Sequence, residues 1–246
     1  MKLYLHCMQC SIETHGLDRN KVEVEYNEEG YYYFECPNGH KNFVVLQELK
    51  FETLFQIGAH AIYDGYYREA VSSFTSSLER FYEFCVQVFC RNHNVQIEKF
   101  RECTKFYNTS SERQFGSFLF LYLIEFGETP FSKKVDDKWR TYRNNVIHNG
   151  QIPTKAEAIE YGDYIRKLIL STMIKLKEKY SEEIQEIIFE NLKFRTDNNT
   201  YGCRVTTMCN PNIISLVNGE LEKSLEEDFI SKIESMKKLE YGMAIH

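Results

Sequence analysis

Two groups of residues have the types and spacing that chemistry needs. Near the N-terminus, Cys7-x2-Cys10 and Cys36-x3-His40 are short-spaced pairs of thiol and imidazole ligands. Each spacing lets one turn present two side chains to a tetrahedral zinc ion. Pro37-Asn38-Gly39 supplies the tight turn that aims backbone amides at sulfur. Four protein ligands close the coordination sphere, so one structural Zn2+ per chain is expected rather than a catalytic metal. His6 and His15 are near enough in sequence to act as substitute ligands. Cys203 and Cys209 lack a matching second pair and, with Cys85, Cys90 and Cys103, read as structural thiols. His60, His93 and His246 stand alone and read as core or surface residues.

The second group lies in Trp139-Arg-Thr-Tyr-Arg143-Asn144-Asn-Val-Ile-His148-Asn-Gly150, at the end of a short helix that Gly150 is placed to stop. Asn144 and His148 are four apart and share a helical face, and Arg143 reaches round to the same region. A guanidinium, an amide and an imidazole suit phosphodiester chemistry without metal. When an RNA 2′-hydroxyl attacks the adjacent phosphate, a planar guanidinium meets the charge of the phosphorane and an imidazole moves the proton. Arg143 takes the first task, His148 the second, and Asn144 orients the phosphate or the ring. Lys133, Lys134, Lys138 and Arg140 outnumber Asp136 and Asp137 around them and form a basic, substrate-binding island.

The elements that must position these groups follow from periodicity. Lys21–Tyr26 alternates as a strand, Asn27-Glu-Glu-Gly30 is a turn and Tyr31–Phe34 is an aromatic strand, together a β-hairpin. Phe43–Leu46 reads as a short strand or a helix entry. Helices are expected at 47–64, 67–92, 95–107, 111–126, 136–148 and 155–192. In the second of these, Val71, Phe74, Leu78, Phe81, Cys85 and Val88 form one apolar stripe. Thr154-Lys-Ala-Glu157 after Pro153 is a capping box. Beyond Leu192, short strands are expected at 201–208 and 212–217 and one helix at 220–239.

The chain has 246 residues, 43% hydrophobic and 27% charged, with 4 Pro and 12 Gly, enough to bury a core. No stretch approaches the roughly 20 apolar residues of a membrane span, and the first residues lack a signal peptide's apolar core, so a cytoplasmic protein without membrane partners is expected. Thirty basic against 36 acidic residues give a net charge of −6, which argues against non-specific coating of nucleic acid. Phosphate-binding glycine loops, nucleophile elbows and metalloprotease helices are missing from the sequence.

Arg143-Asn144-x3-His148, followed by Asn149-Gly150-x2-Pro153 and Glu157-Ala158, resembles the Arg-x4–6-His motif of HEPN domains, in the form with a polar residue after the arginine. The resemblance runs from about 47 to 190 and includes Tyr67-Arg-Glu-Ala-Val71 and Leu78-Glu79-Arg80-Phe81. It implies a mainly α, HEPN-like helical bundle at 46–192, after a small β zinc ribbon at 1–45 and before a C-terminal α+β appendage at 193–246. It also implies a metal-independent endoribonuclease that works as a homodimer on RNA, in bacterial antiviral defence or a toxin system, with a protein or phage-derived trigger. The family tends to set an acidic or polar residue from another helix beside the motif. Thr75, Glu79, Tyr82 and Val86 flank the apolar stripe, which selects Glu79. The alternative from another class is a non-catalytic sensor or adaptor that dimerises and binds nucleic acid or a protein through its ribbon.

Overall fold

Alternating residues set the first strands. A computed structural model describes residues 2–14, 21–210, 212–217 and 220–242. In it β1 (Lys2–His6) pairs antiparallel with β2 (Lys21–Glu25), which places Leu3 opposite Val24 and Leu5 opposite Val22. Between them lies α1 (Met8–Glu13). A second sheet is built from β3 (Tyr31–Glu35), β4 (Lys41–Leu46) and the late strand β5 (Val205–Met208), with β3 antiparallel and β5 parallel to β4. Leu3, Leu5, Tyr32, Phe34, Val44 and Leu46 gather around Cys7, Cys10 and Cys36 in a small core.

The expected hairpin of β2 with β3 does not form. Asn27 curls the connection onto itself: its Oδ1 accepts from the Gly30 amide at 2.8 Å and its Nδ2 donates to the Tyr31 carbonyl at 3.0 Å. Each strand finds a partner elsewhere, β2 through apolar cross-strand pairs and β3 through the tight turn that carries Cys36 and His40.

The chain divides into two compact units, residues 1–48 with 185–211, and residues 49–184 with 212–246. Strand β5 extends the first unit, and the described residues after 211 belong with the helices of the second. Helices dominate the described residues: α2 (Lys50–Tyr63), α3 (Tyr67–Asn92), α4 (Ile97–Tyr107), α5 (Ser111–Phe126), α6 (Lys133–Ile147), α7 (Lys155–Lys179), α8 (Ser181–Thr196), α9 (Leu221–Glu226) and α10 (Phe229–Gly242). None is long and apolar enough to cross a membrane.

Helix α3 is the centre of the larger unit and packs on α2, α5, α6 and α7. Of its stripe, Val71, Phe74, Phe81, Cys85 and Val88 are buried and Leu78 is half-buried, and Thr75, Tyr82 and Val86 beside the stripe are buried too, because α3 has neighbours on several sides. The Phe74 ring fills the gap between α2 and α7: a Cβ on Gly58 or on Gly162 would fall 2.6 Å from it.

The Thr154 capping box is present, with the Thr154 amide donating to Glu157 at 2.8 Å. Residues 155–192 break in two at Tyr180, whose buried ring packs edge-on to Phe89 and Phe126 and whose hydroxyl donates to the Glu125 carboxylate. Residues 212–217 are irregular rather than a strand, and the charged stretch after 220 is two helices, α10 beginning where Asp228 accepts from the Ser231 amide at 2.8 Å. Arg166, 1% exposed, ties α7 to α9 by donating to the Ser224 carbonyl at 2.5 Å.

Candidate functional site

Cys7 precedes α1, Cys10 sits in its first turn, and Cys36 and His40 bracket the turn between β3 and β4. That turn is closed by the Cys36 amide on the His40 carbonyl at 3.0 Å and by the Gly39 amide on the Cys36 carbonyl at 2.8 Å. Gly39 adopts φ +80°, a conformation that favours glycine. The four ligand atoms all lie within 4.8 Å of one another. Cys10 Sγ stands 3.7 Å from Cys36 Sγ and 3.2 Å from His40 Nδ1, and Cys7 Sγ stands 3.7 Å from His40 Nδ1. A zinc tetrahedron with its usual bond lengths has edges of about 3.8 Å between sulfurs and about 3.6 Å from sulfur to nitrogen. The group therefore has the size and chemistry to hold such an ion.

Two neighbours that the sequence analysis missed support the ligands. Asn38 Nδ2 donates to Cys10 Sγ at 3.2 Å, and Glu13 Oε1 faces His40 Nε2 at 3.6 Å, where a carboxylate orients a ligating imidazole. Burial pushes the Cys7 thiol up, but hydrogen bonds from the Cys10 backbone, Asn42 and the other thiols outweigh it and bring Cys7 down to about 7. Burial sends Cys10 up to about 12. His6 is not one of the four, and His15, like His246, lies outside the described residues. Of the other cysteines, Cys85 is buried, Cys90 and Cys203 are half-buried, and Cys103 and Cys209 are exposed.

The second group lies in the helical unit. Arg143 and Asn144 occupy the last turn of α6 and His148 caps it, with its amide on the Asn144 carbonyl at 2.9 Å. Gly150 follows at φ +74°, as a helix stop requires. Arg143 and His148, with Glu79 of α3, line one recess of about 680 Å³ open to solvent. Its far wall is the corner between α4 and α5, where Asn108, Ser110 and Ser111 stand. Arg143 Nη2 lies 3.5 Å from Glu79 Oε1 and Nη1 donates to Asn144 Oδ1 at 2.8 Å. Asn144 thus braces the guanidinium. The His148 side chain is exposed and has no hydrogen bond among the described residues.

Burial pushes the Glu79 carboxyl up, and Arg143 and Arg80 offset only part of that cost. Glu112, in the first turn of α5, is held below the usual carboxylate range by its own backbone amide and by Ser111, with Arg143 and His148 adding to the effect. Glu112 and the corner residues were not foreseen. Their signal is the polar run Asn108-Thr-Ser-Ser-Glu112 ahead of an otherwise apolar helix. Gln114, 1% exposed, pins that corner by donating to the Asn108 carbonyl at 2.8 Å and to Glu83 at 2.9 Å.

The basic island is partly neutralised. Lys138 pairs with Glu160 at 2.7 Å and lies over the Trp139 ring, while Arg140 pairs with Asp137 at 2.5 Å and with Asp136 at 3.7 Å. Lys133 and Lys134 are exposed at the start of α6. Comparison of the chain with protein family models, curated protein sequences and solved structures finds no match.

Proposed function

We propose that the protein is a HEPN-type endoribonuclease that cuts RNA without a catalytic metal. One observation carries the reading: Arg143 and His148 line the same solvent-open recess, beside Glu79, with the imidazole exposed. In the reaction a base takes the 2′-hydroxyl proton, the 2′-oxygen bonds to phosphorus, and the bond to the 5′-oxygen breaks as that oxygen gains a proton. The products are a 2′,3′-cyclic phosphate and a 5′-hydroxyl. Arg143 meets the charge on the phosphorane and His148 serves as acid or base. One imidazole per chain supplies one of the two proton transfers, so a homodimer that brings two motifs together supplies both. Lys133 and Lys134 are left to hold the flanking backbone. A role in antiviral defence or a toxin system goes with the family resemblance.

The same reading gives the Cys7, Cys10, Cys36 and His40 cluster a structural Zn2+, supported by its ligand spacing and the carboxylate behind His40. A second reading, the non-catalytic sensor or adaptor, draws on the bracing of Arg143 by Glu79 and Asn144, which suits a strut between α3 and α6 as well.

Incubation of the full chain with mixed RNA in magnesium-free buffer, beside His148→Ala and Arg143→Ala, separates the two. Cleavage by the parent, falling about 10²- to 10⁴-fold in each variant, is expected. Equal cleavage by all three proteins, or cleavage only with magnesium, overturns the mechanism.

A further inference from the structure

A second recess, half enclosed and about 610 Å³, adjoins the first. Both include Thr75, Glu79, Ser111 and Arg143, so one ligand can reach into each. The two differ in chemistry. The second is walled by flat rings from four helices: Trp139 of α6 stacks on Tyr164 of α7 at 5.4 Å and 20°, and Tyr82 of α3 meets Phe115 of α5 at 5.8 Å. An aromatic lining of this kind suits a planar, polarisable ligand such as a nucleobase.

The polar edge of this recess alternates in charge, with Asp136 beside Arg140 and Glu79 beside Arg143. The separations, 3.7 Å from Asp136 Oδ2 to Arg140 Nε and 3.5 Å from Glu79 Oε1 to Arg143 Nη2, exceed those of good hydrogen bonds. The carboxylates therefore keep accepting capacity, and the guanidiniums keep N–H donors. Guanine matches this pattern. Its N1–H and N2–H lie side by side, as the two oxygens of a carboxylate require, and its O6 beside them accepts from an arginine. Adenine and cytosine offer one amine next to an acceptor, and uracil one imino group between two carbonyls.

The geometry points to a guanine-binding seat in the aromatic recess, which places the base of a nucleotide beside Arg143 while its phosphate enters the neighbouring recess. The inference rests on the ribonuclease reading for the polymer that carries the base, but occupancy of the seat is measurable without cleavage.

Trp139 is the chain's one tryptophan and stands in the wall, so its fluorescence reports the seat directly. The full chain is titrated with GMP, AMP, CMP, UMP and, as a control for the phosphate alone, ribose 5-phosphate. Saturable quenching by GMP, at least about tenfold tighter than by the other nucleotides and absent with ribose 5-phosphate, is expected. Asp136→Asn, which keeps shape and removes a carboxylate, is expected to weaken GMP about tenfold, and Phe115→Ala, checked by circular dichroism, to weaken all four bases. GMP binding no tighter than UMP, or unchanged in both variants, overturns the inference. Base-selective quenching in a protein that leaves RNA uncut keeps the seat and sinks the ribonuclease. Cutting by a protein with no base-selective quenching does the reverse.

Discussion

Replacing Gly162 by alanine sets two effects of known size against each other. In a helix interior the change gains about 1 kcal/mol, since glycine gives up more backbone freedom on folding. Against that, the new methyl would sit 2.6 Å from Cε2 of Phe74, 3.0 Å from its Cζ and 2.9 Å from Cε1 of Phe229. Carbon atoms at rest stay about 3.5–4.0 Å apart. The ring has no room to retreat, because its Cε1 would be 2.6 Å from a Cβ on Gly58 on the side of α2. Overpacking of this kind costs about 1–3 kcal/mol, and a clash of an ångström against a buried ring belongs at the upper end. A net loss of about 2 kcal/mol is expected, or roughly 4–8 °C in Tm for a chain of this size. Urea unfolding of the parent, Gly162→Ala, Phe74→Leu and the double variant measures it. In the double variant the smaller side chain makes room for the methyl, so the two losses combine to less than their sum by more than about 0.5 kcal/mol. A Gly162→Ala protein as stable as the parent, or strict additivity, would refute the packing of α2, α3 and α7 around this ring. The consequence reaches the site, since Glu79 rides on α3 five residues beyond Phe74.

Elemental analysis of the purified chain is expected to find one zinc per molecule. Cys36→Ser should lose it, with amide exchange rising across β1 to β4 while α2, α3 and α7 keep their protection; full zinc in the variant refutes the ligand set. Glu79→Gln tests the balance at Arg143. Burial raises the folded-state pKa of Glu79 above its unfolded value near 4.5, so its contribution to stability is present in full below that value and is lost as pH rises through the folded pKa. The parent should therefore lose stability relative to the glutamine variant on going from pH 4 to pH 7 in urea titrations, and a relative gain would reverse the sign assigned here. Arg166→Met leaves the Ser224 carbonyl without its buried donor and should cost about 2–4 kcal/mol in the same assay, with no loss meaning that this cation does not hold α9.

Much of the helical architecture can be read from local signals. The bounds 67–92 and 111–126 match because the stripe of α3 is regular, Ser110 caps α5 with its side chain, and Gly127 ends it at φ +71°. Strand partners are not local. Tyr31–Phe34 reads as a strand on propensity alone, yet nothing within it says that β4 rather than β2 lies alongside, or that residues 205–208 return from the far end of the chain. The break at Tyr180 is a tertiary effect of the same sort, a buried ring and its hydroxyl overriding a helical sequence. The cysteine and histidine cluster is legible because short spacing encodes a knuckle. Glu79 is legible because a residue flanking a buried stripe sits at the rim of a neighbour. Glu112 and the aromatic recess are not, since their members come from α3, α5, α6 and α7 and meet only when those helices pack.

The arrangement of α6 shows how packing alone sorts its charges. Trp139 and Val146, seven residues apart, are its buried positions and fix the face turned toward the bundle. Asp136, Arg140 and Arg143 recur at spacings of four and three, so they form a second row on the flank of that face. Residues on such a flank are half sheltered, which is where a long side chain keeps its stem in apolar surroundings and its charged end at an opening. Burying Trp139 therefore brings three charged groups to one edge, and Arg143, last in the row, meets Glu79 across from α3. The helix then ends, and His148 stands beyond it, in contact with solvent rather than with the core. A guanidinium held at the rim and an imidazole exposed at the helix end are both products of the same buried pair.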